Sequence, residues 1–331
     1  MKDFDYVSVN TTQEAIAALR APGRAAIAGG TELLNWLRLG IAAPDGLVDV
    51  GRLRGHAGIA IDDDMLVIGA ATTLAAIGDN AAVQSHAAVL SEACLRAASP
   101  QIRNRATIGG NVLQKTRCVY FRAEAPLPWG CNKREPGTGC AALHGLNERH
   151  AILGWTDACV ATHPSDPAVA LACLDAQAEV AGPAGVRFIT MTDFHVTQQE
   201  ADDAQRETQL APDELIVRYR LPLHAGESSA YVKVRERESY EYALVSAAAT
   251  LQQEAGRVVS ARMALGSVAQ KPWRLGAAEA AVVGMPVTRE GLLSSLQAAL
   301  SEARPLEHNA YKVTMAANAA LRALLRAGGA A

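Results

Sequence analysis

Aromatic side chains are scarce, at 5% of 331 residues, and the formal charge is nearly balanced at −3 with a pI near 6.3. The scarcity of rings argues against an aromatic-rich β protein, and the abundance of alanine in their place predicts closely packed helices and small-residue contacts. The near-neutral charge leaves no basic field for a phosphate backbone, and no Lys/Arg run is long enough to act as a tail, so nucleic acid is excluded as a partner. No stretch approaches the ~18 uninterrupted apolar residues of a membrane span. The opening Met1-Lys2-Asp3-Phe4-Asp5 is acidic and lacks the apolar core of a secretion signal. A soluble chain with no export signal of its own is therefore expected. Six cysteines are too sparse for a disulfide scaffold. There is also no GxGxxG fingerprint, no Ser-His-Asp set and no pair of acids on one face, so substrate chemistry on this chain itself is not expected.

The chain is longer than the roughly 250–300 residues that one core usually organises, which predicts two or three packed units. A helix over 12–20 with Thr11 or Thr12 as cap leads to the apolar run Ala25-Ala26-Ile27-Ala28, the turn Gly29-Gly30, and a helix through Thr31-Glu32-Leu33-Leu34-Asn35-Trp36-Leu37. A strand at Gly46-Leu47-Val48-Asp49-Val50 closes a small βαβ unit, and Met65–Ala70 opens a second unit with helices over 74–97. From about 99 to 165 periodicity gives way to Gly, Pro, Asn, Arg and Cys, a stretch too long for an idle loop. Regular structure resumes at Pro167–Ala172, and a strand over 214–221 ends at Pro222. Strands near 230–235 and 257–266 and helices near 289–303 and 311–327 follow. The boundary falls near 222–229.

Two glycine turns are candidates for binding an anion. Ala28-Gly29-Gly30-Thr31-Glu32 lies where a strand becomes a helix, so bare backbone N–H groups could approach a pyrophosphate. Thr107-Ile108-Gly109-Gly110-Asn111 offers a second bared backbone beside a hydroxyl and an amide. Alone, each is equally readable as an ordinary turn. Taken with Ser165-Asp166 and Tyr231-Val232-Lys233 in the same order, they resemble the flavin subunits of the xanthine dehydrogenase and carbon monoxide dehydrogenase family. Ala264-Leu265-Gly266-Ser267-Val268-Ala269, Lys271-Pro272-Trp273-Arg274 and Asn309-Ala310-Tyr311-Lys312-Val313 extend the likeness to the family's C-terminal domain.

The resemblance implies an α+β chain. Its parts would be the two-lobed FAD-binding fold shared with vanillyl-alcohol oxidase and, behind it, a smaller α/β domain of the CO dehydrogenase flavoprotein type. Residues 1–58 would form FAD subdomain 1 and 59–222 subdomain 2, with an inserted loop at about 114–162. Residues 223–331 would form the C-terminal domain. By the same likeness Ala26, Ile27, Ala28, Gly29, Gly30, Thr31, Glu32 and Leu33 would wrap the FAD pyrophosphate. Thr107, Gly109, Gly110 and Asn111 would form the second loop, and Ala98 and Ser99 would border the flavin. Asp166 would accept hydrogen bonds from the cofactor's polar chain, Ile216 would touch the ring, and Lys233 would be the cation beside the isoalloxazine. Read without the likeness, Asp166 is equally a helix cap and Lys233 an exposed strand residue. No His or Cys lies in the matched loops, so FAD is expected to be non-covalent.

Cys118, Cys131, Cys140 and Cys159 are separated by twelve, eight and eighteen residues, a spacing that by itself favours neither zinc, nor a ferredoxin-type cluster, nor unrelated thiols. They sit in a Gly/Pro/Asn-rich segment with Arg117, Arg122, Lys133 and Arg134, cations suited to offset thiolates. The segment resembles, through Leu113-Gln114-Lys115-Thr116-Arg117-Cys118, Cys131-Asn132-Lys133-Arg134 and Ala161-Thr162-His163-Pro164-Ser165-Asp166, the insertion in flavin subunits of periplasmic aldehyde oxidoreductases. More loosely it is similar to that of 4-hydroxybenzoyl-CoA reductase. That likeness implies a 4Fe-4S cluster on all four cysteines. Cys94 and Cys173 read as buried free thiols. His163 is the one histidine read as functional; His144 and His150 show no metal spacing, and His195, His224 and His308 read as surface or linker residues.

The family implies two partners, a large subunit with a molybdenum cofactor and a small one with 2Fe-2S clusters, in a heterotrimer or its dimer. FAD on this chain would carry their electrons to an external acceptor. The periplasm, reached by co-export with a signal-bearing partner, and the cytoplasm are both open. Two other readings stand at this point: a free-standing flavin oxidoreductase with its own substrate pocket, and a redox sensor or scaffold whose cysteines hold zinc or form two disulfides.

Overall fold

A computed structural model describes residues 2–201 and 205–329. Met1, Ala330 and Ala331, the outermost residues of the expected 1–58 and 223–331 units, lie outside the described residues. Three sheets, each with its own core, lie along the chain. The first is built from β1 (Asp5–Ser8), α1 (Thr12–Leu19), β2 (Arg24–Ile27), α2 (Leu33–Arg38) and β3 (Gly46–Asp49), with strand order β1-β3-β2 and parallel pairing. Thr11 starts α1 through a capping box: its hydroxyl accepts from Glu14 N–H, and the Glu14 carboxylate reaches back to Thr11 N–H at 3.3 Å. A small core of Val9, Ala15, Leu19, Val48 and Leu53 takes in Leu215 from the next unit.

The second unit runs β4 (Ile59–Asp62), β5 (Met65–Gly69), α3 (Leu74–Gly78), α4 (Ala81–His86), α5 (Ala88–Arg96), α6 (Pro100–Arg103), α7 (Ile108–Val112), α8 (Asp166–Cys173), β6 (Gln177–Gly182), β7 (Gly185–Thr190), α9 (Met191–Phe194) and β8 (Leu215–Pro222). Its antiparallel sheet has the order β4-β5-β8-β6-β7. The segment read as aperiodic therefore contains two short helices, each opened by a hydroxyl: Ser99 caps α6 and Thr107 caps α7. All eight residues of α8 are buried, because the helix is pressed between the second core and the third sheet.

The third unit comprises β9 (Ser228–Val234), β10 (Val245–Glu254), β11 (Arg257–Gly266), β12 (Trp273–Arg274), α10 (Gly276–Ala281), α11 (Arg289–Ala298) and α12 (Tyr311–Ala327). Its antiparallel sheet has the order β12-β11-β10-β9. Here the alanines have their use. Ala247 and Ala249 on β10 share a core with Ala316, Ala317, Ala319, Ala320 and Ala323 on α12, so the helix axis can approach the sheet closely while Leu321 and Leu324 fill the space between. No helix among the described residues is long and apolar enough to cross a membrane.

Candidate cofactor site

One large cavity, of about 1390 Å³, opens where the three units meet. That exceeds the roughly 300–1,000 Å³ of ordinary ligand pockets and suits an extended dinucleotide. Its wall contains Ala26, Ile27, Ala28, Gly29, Gly30, Thr31, Glu32 and Leu33 from the β2–α2 turn, Thr107, Gly110 and Asn111 from α7 and its cap, and Ala98, Asp166, Ile216 and Lys233. Ser99 and Gly109 are not in the wall. The Ser99 hydroxyl accepts from Ile102 N–H at 3.4 Å, and Gly109 is buried with its N–H on the Ala70 carbonyl at 2.9 Å.

The two glycine turns touch. A Cβ on Gly29 would stand 2.0 Å from the Arg105 carbonyl oxygen, so only glycine lets the first turn lie against the strand of backbone that enters the second. Gly30 has φ +74°, and Ala98 is held at φ +46° with its carbonyl and that of Ala97 accepting from Arg103 Nη1 at 3.3 and 3.0 Å. A non-glycine residue in the left-handed region at a cavity wall is backbone strain stored at the site. The Ser165 hydroxyl donates to Asn111 Oδ1 at 2.7 Å and caps α8, which ties the second turn to Asp166.

Asp166 and Lys233 face each other. Lys233 Nζ lies 2.8 Å from Asp166 Oδ2, Tyr231 donates to Oδ1 at 2.6 Å, and the two charged side chains are 1% and 6% exposed. Lys233 also donates to the Arg96 carbonyl at 3.1 Å. Asp166 is thus not the cap of α8, a role Ser165 fills, and Lys233 is not an exposed strand residue. A buried pair of this kind is stable only with both partners present.

Two histidines share the wall. His163 and His195 have ring centroids 4.0 Å apart. His195, read from sequence as surface or linker, is 2% exposed. Its Nε2 donates to the Val112 carbonyl at 2.9 Å, while its Nδ1 and His163 Nε2 have no protein partner. Burial holds the His195 ring down at about 4 and His163 well below its ordinary value, so both are neutral near pH 7. Glu207 was also missed. It lies in the aperiodic connection before β8, and no local pattern marks it, yet it lines the cavity between Lys115 and Lys133.

A second, small and mostly apolar cavity is lined by Cys118, Cys131, Cys140 and Cys159 together. All four thiols are free. Among the described residues no three Cys, His, Asp or Glu side chains are drawn in tightly enough to form a ready metal site; the sulfurs surround a space rather than meet. Cys131 and Cys140 pair as a β-bridge. Asn132 binds the turn between them, accepting from Gly137 and Gly139 N–H at 3.0 and 2.9 Å, and ties it to the Ala158 carbonyl beside Cys159 at 2.9 Å. Backbone N–H groups of Phe121 and Tyr120 act to lower the Cys118 thiol, those of Arg134 and Lys133 the Cys131 thiol, and that of Ala161 the Cys159 thiol, against the larger rise from burial. Burial pushes the Cys118 thiol up to about 12 and Cys159 to about 11. His150 Nε2 lies 3.2 Å from Cys118 Sγ. Cys94 and Cys173 are buried outside this group.

A two-lobed cradle for an extended dinucleotide, completed by a lysine from a third unit, defines a flavin-binding redox subunit. Residues 2–224 match the family model described as the FAD binding domain in molybdopterin dehydrogenase, and 230–327 the CO dehydrogenase flavoprotein C-terminal domain. The chain belongs to the FAD-binding subunits of the molybdopterin dehydrogenases. It is 43% identical over 318 residues to the aldehyde oxidoreductase FAD-binding subunit PaoB of Escherichia coli K12, covering 96% of this chain and 95% of that one. It is 27% identical to the carbon monoxide dehydrogenase medium chain of Hydrogenophaga pseudoflava, covering 97% and 96%. The solved carbon monoxide dehydrogenase from H. pseudoflava, in a form lacking the Mo-pyranopterin moiety, superposes with a TM-score of 0.76 at 27% identity, covering 99% of this chain and 98% of that one. Quinoline 2-oxidoreductase from Pseudomonas putida 86 gives 0.76 at 25% identity, covering 99% and 98%.

Proposed function

We propose that this chain is the flavin subunit of a molybdenum-dependent aldehyde oxidoreductase, with FAD in the large cavity and a 4Fe-4S cluster on Cys118, Cys131, Cys140 and Cys159. The observation that carries the cluster is the convergence of four separated free cysteines on one cavity, with backbone N–H groups acting to lower three of the thiols. Paired disulfides have less support, because all four thiols are free and N–H donors at sulfur offset thiolate charge, which a disulfide lacks. The aldehyde class follows the 43% identity to PaoB.

FAD, when bound, takes electrons singly from iron–sulfur centres and releases them singly or in pairs. The chain's own residues hold and tune it. Backbone N–H groups of Ala26 to Leu33 would meet its pyrophosphate, Thr107, Gly110 and Asn111 would cover the second side, Ala98 would border the ring and Ile216 would pack on it. Lys233 would place an ammonium donor beside the isoalloxazine, where it favours negative charge on the reduced ring; Asp166, its partner at 2.8 Å, offsets part of that charge and would accept from the cofactor's polar chain. Ser99 and Gly109 act from behind, by shaping the α6 and α7 turns. The partners are a molybdenum-cofactor subunit and a 2Fe-2S subunit, in a heterotrimer or its dimer. The compartment follows theirs, the periplasm by co-export or the cytoplasm.

Anaerobic rapid mixing tests the assignment. An aldehyde should bleach the flavin band of the chain within its complex and leave the chain alone unbleached. Bleaching of the isolated chain by substrate would instead make it a free-standing flavoenzyme.

A further inference from the structure

The cations of the cysteine segment point to the FAD cavity. The Glu32 carboxylate, in the first glycine turn, accepts from Arg117 Nη2 at 2.6 Å, from Arg122 Nη2, and from Trp36 Nε1 at 2.6 Å. Arg122 is anchored in its own segment by the carbonyls of Thr116 and Lys115, each at 2.8 Å, and Arg117 stacks over the Tyr242 ring at 4.4 Å. Arg134 grips the far end of α2: its Nη2 donates to the Gly40 carbonyl at 3.1 Å and its Nη1 to Phe121 at 2.8 Å. On the opposite wall Glu207 is held by Lys115 at 2.5 Å and Lys133 at 2.9 Å. Glu32 and Glu207 are thus each neutralised by two cations lying one to four residues from Cys118 or Cys131. A cofactor with an anionic pyrophosphate is repelled by a carboxylate left unpaired in a partly dry wall.

We propose that Arg117, Arg122 and Arg134 are positioning residues for FAD. All three transmit the order of the cysteine segment to the glycine turn and its helix, and Arg117 and Arg122 cancel the charge of Glu32, so FAD retention depends on the cysteines being held. The second clause rests on the cluster assignment above; the first does not.

The test uses the chain in complex with its partner subunits, stripped of flavin and titrated with FAD by fluorescence, with iron counted on each preparation and thermal unfolding recorded. Arg122→Ala, which leaves Glu32 with Arg117 as its one remaining cation, should weaken FAD binding by about tenfold, with iron unchanged. Adding Glu32→Gln to Arg122→Ala should restore part of that affinity, since the incompletely compensated charge is gone. Arg134→Ala, which leaves Glu32 untouched, should also weaken binding, and Cys140→Ser should lose iron and FAD affinity together. Wild-type FAD affinity in both Arg122→Ala and Arg134→Ala overturns the proposal, as does the absence of any rescue by Glu32→Gln. If Cys140→Ser loses iron yet binds FAD normally, the cluster assignment stands and its link to FAD is overturned. If no iron is found in the wild type while Arg122→Ala still loses FAD, the cluster assignment fails and the positioning role is upheld.

Discussion

Single atoms decide how this site behaves with pH. His195 is locked as the Nε2–H tautomer by the Val112 carbonyl, so a second proton would have to sit on Nδ1, which is buried without a partner. Its value is lowered from 6.5 to about 4 by burial. Between those values the unfolded chain binds a proton that the folded chain refuses, so stability is complete above pH 6.5 and falls as pH drops towards 4. The loss attributable to this ring reaches on the order of 3 kcal/mol. Urea midpoints should fall less steeply across that window in His195→Asn, with His163 and His150, also lowered by burial, keeping a residual slope. Gly29→Ala pushes a methyl into the Arg105 carbonyl; it should cost about 1–3 kcal/mol and abolish FAD retention, measured as flavin per chain after gel filtration. Asp166→Asn strands the Lys233 ammonium and should cost about 3–5 kcal/mol in urea unfolding. The cavity-wall places of Gly29, Gly30, Thr107, Gly110 and Asn111 can be read from sequence because close backbone approach admits few residue types. The Asp166–Lys233 pair and the wall positions of His195 and Glu207 cannot, because their partners are distant in the chain and no periodicity marks them.

At the scale of elements, local rules served where a single helix or strand decides its own fate. The capping box at Thr11, the β2 turn at Gly29-Gly30 and the long α12 pattern could be placed to within a few residues. The hairpin β6–β7 and strand β10 escaped notice. Gln177–Gly182 is mixed in pattern because its pairing with β8 shifts at Glu179/Val180, and Val245–Thr250 is buried on both faces, so neither alternates cleanly. Element packing gives its own prediction. A Cβ on Gly266 would stand 2.5 Å from Val169 Cγ2 and 2.4 Å from Ser246 Oγ, so this glycine lets α8 lie directly on β11. Gly266→Ala should cost about 1–3 kcal/mol by overpacking and lower the melting temperature of the purified chain. An unchanged melting temperature would mean that α8 can shift.

Over the whole molecule, three units converge on one cavity, and the cysteine segment braces it from outside. Fold class and the ordered set of flavin motifs were readable because they belong to separate local turns. Arg117, Arg122 and Lys133 also have partners that their charge alone does not reveal, Glu32 and Glu207, while Lys133 and Arg134 do lower the Cys159 and Cys131 thiols. The most direct test of the account is a count of flavin and iron on this polypeptide after anaerobic purification with its partner subunits, beside Cys131→Ser. About one FAD and four irons on the chain, with the iron lost in the variant, is the predicted result; flavin with no iron on the wild-type chain would contradict the cluster.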